Sequence, residues 1–202
     1  MIKVVAFDFD NTLYNGYVFK NYREYLKEIL TKYFKNEDKA ENFLIDCFKE
    51  DNHYTNKAVS LRLQELGYSA KRFVKLLGKH IYKHACIPEI ISTEFLKELA
   101  KKYHLYIATM STPQYLKHYM KKFNIDRRLF KKCYSVDLSA KNISKKDIYY
   151  KLLKREKISK DELLMIGDNP VEDIETAKEV GIKYLYYNKE NFNQIYNYFK
   201  NL

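Results

Sequence analysis

Five short apolar runs punctuate the chain: KVVAFDF at 3–9, LYIATM at 105–110, CYSVD at 133–137, LLMIGD at 163–168 and YLYYN at 184–188. They do not alternate with polar residues, which is the pattern of strands covered on both faces in a parallel sheet. From residue 105 onward, apolar stripes of helical period lie between the runs. Tyr115, Leu116, Tyr119, Met120 and Phe123 form one stripe. Ile148, Leu152 and Leu153 form a second, and Val171, Ile174 and Ala177 a third. Gly181 stands where a helix C-cap glycine belongs, just before the last run. This alternation predicts a doubly wound, Rossmann-like α/β fold around a five-stranded parallel sheet.

Residues 15–92 break the alternation, with helical stripes and no convincing strand. Tyr22, Tyr25, Leu26, Ile29 and Tyr33 make one stripe; Phe43, Leu44, Cys47 and Phe48 another; Phe73, Leu76, Leu77 and Ile81 a third. Gly67-Tyr68-Ser69 separates two helices, with Ser69 as N-cap. The chain therefore divides into an α/β core, 1–14 and 93–202, and an inserted all-helical cap, 15–92, placed like a lid.

The strand ends carry the chemistry. The first run ends in Asp8 and Asp10, the second in Thr109 with Ser111 just beyond, and the fourth in Asp168, with Asp173 one helical turn further. In an open parallel sheet all of these meet at the carboxyl edge, where ligands bind. Carboxylates crowded into one crevice need a cation among them, and hard oxygen ligands suit Mg²⁺, with Asp8, Asp10, Asp168 and Asp173 as candidate ligands. Blander readings exist for single residues: Asp168 as N-cap of the helix from Pro170, Asp173 as an ordinary first-turn acid, Thr109 as a buried hydroxyl.

Composition narrows the setting. A net charge of +11 favours anionic partners, but the lysines are dispersed over most helix faces, so nucleic acid is an open but unfavoured partner. Cys47, Cys86 and Cys133 have no disulfide or zinc spacing and fit a reducing cytoplasm. Met1 leads straight into a strand, leaving no room for a signal peptide, and no run approaches a membrane span, so a cytoplasmic monomer or small homo-oligomer is expected. His80 and His84 share a helix face without a third ligand, which reads as packing. Neither GxxxxGK[ST] nor GxGxxG occurs, which excludes a P-loop or dinucleotide fingerprint.

DFDNT at 8–12, Thr109 at a strand end, a lysine at a helix head and GDNPVED at 167–173 together resemble the haloacid dehalogenase-like (HAD) hydrolases, in the phosphatase branch with a helical cap after the first strand. The resemblance spans essentially all of the chain. It implies Asp8 as nucleophile forming an aspartyl-phosphate, Asp10 as general acid and base, and Thr109 on a phosphate oxygen. It implies Mg²⁺ between the Asp8 carboxylate, the Asp10 carbonyl and Asp168, with Asp173 in support. The lysine is Lys141, Lys145 or Lys146; Lys145, following a Ser144 N-cap, is preferred. Tyr14, Asn15, Ser111, Thr109 and the lysine are the expected substrate contacts.

The expected activity is Mg²⁺-dependent hydrolysis of a small phosphorylated metabolite. The opening DFDNTLY is similar to that of pyrimidine 5′-nucleotidase-like members, although phosphoglycolate and sugar-phosphate phosphatases open similarly. A carboxylate at Asp10 separates this reading from dehalogenases, which need no acid there, and from ATPase relatives, which carry threonine. The alternatives are an inactive HAD fold that binds RNA or a protein, and a nucleotide- or nucleic-acid-directed phosphatase.

Overall fold

Val4, Val5, Ala6 and Phe7 are at most 1% exposed, so the first strand, β1 (Val4–Phe7), is covered on both faces. In the computed structural model, which describes residues 1–15, 22–48, 56–84, 89–135, 144–187 and 193–200, two segments follow it. The first runs through β2 (Tyr14–Asn15), α1 (Tyr22–Phe34), α2 (Glu37–Phe48), α3 (Asn56–Glu65), α4 (Ala70–His84) and β3 (Glu89–Ile90). The second alternates: α5 (Thr93–Lys102), β4 (His104–Ala108), α6 (Pro113–Lys122), β5 (Lys132–Tyr134), α7 (Lys145–Glu156), β6 (Leu163–Gly167), α8 (Thr176–Val180), β7 (Lys183–Tyr186) and α9 (Asn193–Lys200).

The five long-run strands form one parallel sheet in the order β5-β4-β1-β6-β7, as their unbroken apolar character predicts. Their side chains divide with a period of two. Val5, Phe7, Leu105, Ile107, Leu164 and Ile166 pack with residues of α5, α6 and α9. Val4, Ala6, Tyr106, Ala108, Leu163 and Met165 pack instead with Ile148, Tyr149 and Leu152 of α7 and Ala177 and Val180 of α8. β1 sits between β4 and β6, and the chain builds outward from it on both sides, so the topological switch lies at its carboxyl end.

The described stripes in residues 15–92 turn inward: Leu26, Ile29, Tyr33, Phe43, Leu44, Phe73 and Leu77 belong to the same apolar cluster as the first sheet face, with Tyr25, Cys47 and Leu76 partly buried against it. The side chains of Tyr22, Phe48 and Ile81 lie outside the described residues. Ser69 caps α4, its Oγ accepting the Arg72 N–H at 3.2 Å. A Cβ added at Gly78 of α4 would lie 2.8 Å from the His118 ring of α6, so the glycine permits this close helix crossing.

One expectation needs correction. The segment does contain strand: β2 and β3 pair antiparallel, Tyr14 with Ile90 and Asn15 with Glu89, and the Ile91 N–H extends the ladder to the Leu13 carbonyl at 3.0 Å. Two residues per strand leave no alternation to see in a sequence. This ladder ties together the points where the helical segment leaves and rejoins the sheet, and it anchors Tyr14. Among the described residues no helix is long and apolar enough to cross a membrane.

Candidate active site

The switch point gathers acids around one lysine. Ser144 and Asp147 form a capping box at the start of α7, which contributes about 1 kcal/mol to that end. The next residue, Lys145, is only 4% exposed. An ammonium at a helix N-terminus opposes the helix dipole, so packing and capping give no reason for it. Its carboxylate partners do. Lys145 Nζ donates to Asp8 Oδ1 at 2.6 Å and also to Asp173 Oδ1. Asp8 is itself fixed by its N–H on the Ile166 carbonyl of β6 at 2.8 Å.

Asp173 reaches the lysine through an unusual turn. Pro170–Glu175 is π-helical, with the Ile174 N–H reaching back to the Asn169 carbonyl. The wide turn rolls Val171 off the stripe expected of it, leaving that side chain 61% exposed. Asn169 supplies the cap, accepting from the Val171 and Glu172 N–H groups, so the capping role expected of Asp168 belongs to its neighbour. The Asn169 N–H binds Asp173 Oδ2 at 3.0 Å. Gly167 makes room for this, since a Cβ there would lie 2.2 Å from the same oxygen and 2.7 Å from the Asp173 Cβ. Gly167→Ala is therefore expected to push the turn outward, cost about 1–3 kcal/mol by overpacking and lower turnover by misplacing Lys145. Thermal melts and steady-state rates on one preparation check it; unchanged stability would mean the turn yields freely.

Asp10 is held differently. Its Oδ1 accepts from the Tyr14 hydroxyl at 2.5 Å and its Oδ2 from Ser111 Oγ at 2.6 Å. Tyr115, from the first turn of α6, has its hydroxyl beside Asp10 and Tyr14 and lowers the proton affinity of each. Thr109, at the end of β4 and 1% exposed, accepts the Ser111 N–H on its Oγ1 at 3.0 Å, which leaves its own proton to donate.

The electrostatics follow from burying so much charge. Burial raises the Asp8 carboxyl well above the usual carboxylate range; Lys145 opposes this, and Asp173, Asp10 and Asp168 add to it. Burial alone would lower the Lys145 ammonium, but Asp8 and Asp173 overcome that and hold it well above an ordinary lysine. Burial also raises Asp10, with the Ser111, Tyr14 and Tyr115 hydroxyls restraining the rise. Tyr14 is raised well above an ordinary phenol, first by burial and then by the Asp10 charge. Among the described residues Asp8 and Asp173 share the Lys145 ammonium, and the Asp10 and Asp168 charges also bear on Asp8, an imbalance that a divalent cation would correct. Asp8, Asp168 and Asp173 each offer an oxygen within 4.8 Å of the others, so the donor set fits a hard cation.

The structure brings together Asp8, Asp168, Asp173 and Lys145, and separately joins Asp10, Tyr14 and Ser111, with Thr109 bonded to the Ser111 backbone. Lys146 points away and pairs with Glu179 at 3.2 Å, while Lys141 and the Asn15 side chain lie outside the described residues. Tyr14 was expected at the substrate. Its ring is 3% exposed and stacks on Tyr119, and its hydroxyl donates to Asp10. His80 is buried against Tyr25 with Glu28 3.4 Å away; the His84 side chain lies outside the described residues. Sequence reasoning missed Tyr115 and Asn169. Tyr115 is indistinguishable from its core-forming neighbours in the stripe, and Asn169 is hidden by the acids on either side.

A family model described as haloacid dehalogenase-like hydrolase matches residues 2–181. The chain belongs to that family. No curated protein matches it. Among solved structures, this HAD-like hydrolase is similar to a HAD phosphatase from Thermococcus onnurineus, with 16% identity, a TM-score of 0.64 and coverage of 96% of this chain and 98% of that one. It is also similar to the magnesium-bound HAD-hydrolase YfnB from Bacillus subtilis, at 17% identity and TM-score 0.60, covering 93% and 89%. A 2-haloacid dehalogenase from Pseudomonas syringae lies as near, at 19% identity and TM-score 0.58, covering 93% and 87%. At these identities the likeness shows the HAD fold alone. A phosphatase and a dehalogenase share it, so the residues of the site must distinguish them.

Proposed function

We propose that the chain is a Mg²⁺-dependent phosphomonoesterase acting on a small phosphorylated substrate. The observation that carries this reading is the pairing of two buried aspartates held by different partners. Asp8 lies against a buried ammonium, and Asp10 is set apart among hydroxyls, its carboxyl raised by burial against the restraint of those hydroxyls. A dehalogenase expels halide, which needs no proton. A phosphatase expels an alkoxide, which does.

In the first step an Asp8 oxygen attacks phosphorus, the bond from phosphorus to the leaving oxygen breaks, and the Asp10 proton passes to that oxygen. In the second, Asp10 takes a proton from water, the water oxygen bonds to phosphorus, and the Asp8–phosphorus bond breaks to release phosphate. Thr109 and Lys145 bind non-bridging oxygens. Asp8, Asp168 and the Asp10 carbonyl would hold Mg²⁺, which would supply charge neutralisation at the transferring group. Asp173 has both oxygens engaged, by Lys145 and by the Asn169 N–H, and so orients the lysine. Residues 15–92 act as a lid over a core made of 1–14 and 93–202, with the β2–β3 ladder as its neck.

Hydrolysis of p-nitrophenyl phosphate and a phosphometabolite panel tests the reading. Turnover is expected with Mg²⁺, to fall at least about a hundredfold with EDTA and to return on adding Mg²⁺. A folded protein inactive across the panel with Mg²⁺ present would overturn it.

A further inference from the structure

Tyr14, Ser111 and Tyr115 reach Asp10 from three separate parts of the chain: the neck ladder, the loop after β4 and the first turn of α6. All three offer hydroxyls. The Tyr14 and Ser111 hydroxyls hold one oxygen of this carboxylate each. The choice has chemical content. A hydroxyl carries one proton and two lone pairs, so it donates to a carboxylate and, after rotation about its C–O bond, accepts from a carboxylic acid. An N–H donor can serve the acid only at its carbonyl oxygen and never at the oxygen that carries the proton. A group that gives a proton in one step and takes one in the next needs partners that hold it in both states.

The cage is also rigid. The Tyr14 ring is stacked on Tyr119 at 5.8 Å with an interplanar angle of 8°, meets Phe9 edge-on at 5.5 Å and lies 5.2 Å from Phe123. Phenylalanine would fill this space as well, so packing does not require the hydroxyl. Tyr115 is fixed at its backbone by Thr112, whose Oγ1 accepts the Tyr115 N–H at 3.3 Å.

We propose that Tyr14, Ser111 and Tyr115 are positioning residues that aim Asp10 at the leaving-group oxygen, and that the site is thereby fitted to phosphate esters of aliphatic alcohols. The proposal rests on the phosphomonoesterase reading and deepens it. An aryl oxide departs from phosphorus with little help, whereas an aliphatic alkoxide departs only as its oxygen is protonated. A cage that aims the proton donor is therefore of use mainly for aliphatic esters.

The test compares kcat/KM, which covers the steps through transfer to Asp8 and so reports Asp10 as acid rather than as base. Wild type, Tyr14→Phe and Ser111→Ala are assayed with p-nitrophenyl phosphate and with aliphatic esters: β-glycerophosphate, a hexose 6-phosphate and a nucleoside 5′-monophosphate. Each substitution is expected to lower kcat/KM for the aliphatic ester on the order of tenfold more than for the aryl ester, within the span of general acid catalysis. Adding Tyr14→Phe to Asp10→Asn should produce no further selective loss. Equal losses on both ester types in a folded variant would make the cage structural and overturn the proposal. Wild-type turnover of p-nitrophenyl phosphate with none of the aliphatic esters would overturn it while leaving the phosphatase reading intact. No turnover of any ester would overturn both.

Discussion

Asp8→Asn is expected to lower kcat/KM for p-nitrophenyl phosphate by at least about 10³-fold, while leaving the protein no less stable than wild type. The loss follows from chemistry: the amide keeps the shape of the carboxylate and its contact with Lys145, but offers phosphorus no nucleophilic oxygen. Knockouts of nucleophiles in hydrolases commonly cost this much or more. The stability half follows from charge. Asp8 is 6% exposed, and its carboxyl is pushed up first by burial, then, against the pull of Lys145, by Asp173, Asp10 and Asp168. Removing one of several mutually repelling acids relieves the fold, as happens where a site is built against stability. Steady-state rates and a thermal melt on the same sample check both halves. Retained turnover would remove Asp8 from the reaction, and a large drop in melting temperature would mean its carboxylate is needed to balance Lys145.

The parts of this molecule that the sequence displayed are those in which one residue type has one physical meaning. Unbroken runs such as VVAF and LLMIG leave little choice but doubly covered strands, and the sheet they form is the one expected. Asp8 at a strand end has no packing rationale, so it stood out as a candidate for chemistry before any geometry. Legibility failed where a residue type serves two purposes. Tyr14 and Tyr115 are large, half apolar and set among other aromatics, and nothing in their spacing separates a core ring from a ring whose hydroxyl tends a carboxylate. The ladder of Tyr14–Asn15 with Glu89–Ile90 is set by long-range pairing and is too short to leave a periodic trace. Val171 failed for a third reason: the stripe assumed 3.6 residues per turn, and a π turn intervened. Of the three candidate lysines, spacing alone did not separate Lys145 from Lys146, because adjacent residues on a helix differ by a rotation that only the docked helix fixes.

That rotation supplies the second large effect. Lys145→Met is expected to destabilise the protein by about 3–5 kcal/mol, because removing one partner of a buried ion pair leaves the other charged and uncompensated. Here two acids lose their partner at once. Asp8 and Asp173 both accept from Lys145, whose side chain is 3% exposed, and theirs are 8% and 0% exposed. Methionine matches the aliphatic stem, so the loss measured is that of the ammonium and not of packing. Lys146→Met is the internal control. Its ammonium pairs with Glu179 across a surface where the side chains are 45% and 62% exposed, and exposed pairs add little. Denaturant unfolding of the two variants should therefore separate neighbouring lysines of the same helix. The double variant Lys145→Met with Asp173→Asn should recover part of the loss, since it removes one stranded charge along with its partner. Turnover should not recover with it, because the ammonium would still be missing from the phosphate. Stability regained without activity is the result that would identify Asp173 as the lysine's anchor, and an additive double variant would place the two residues in separate roles.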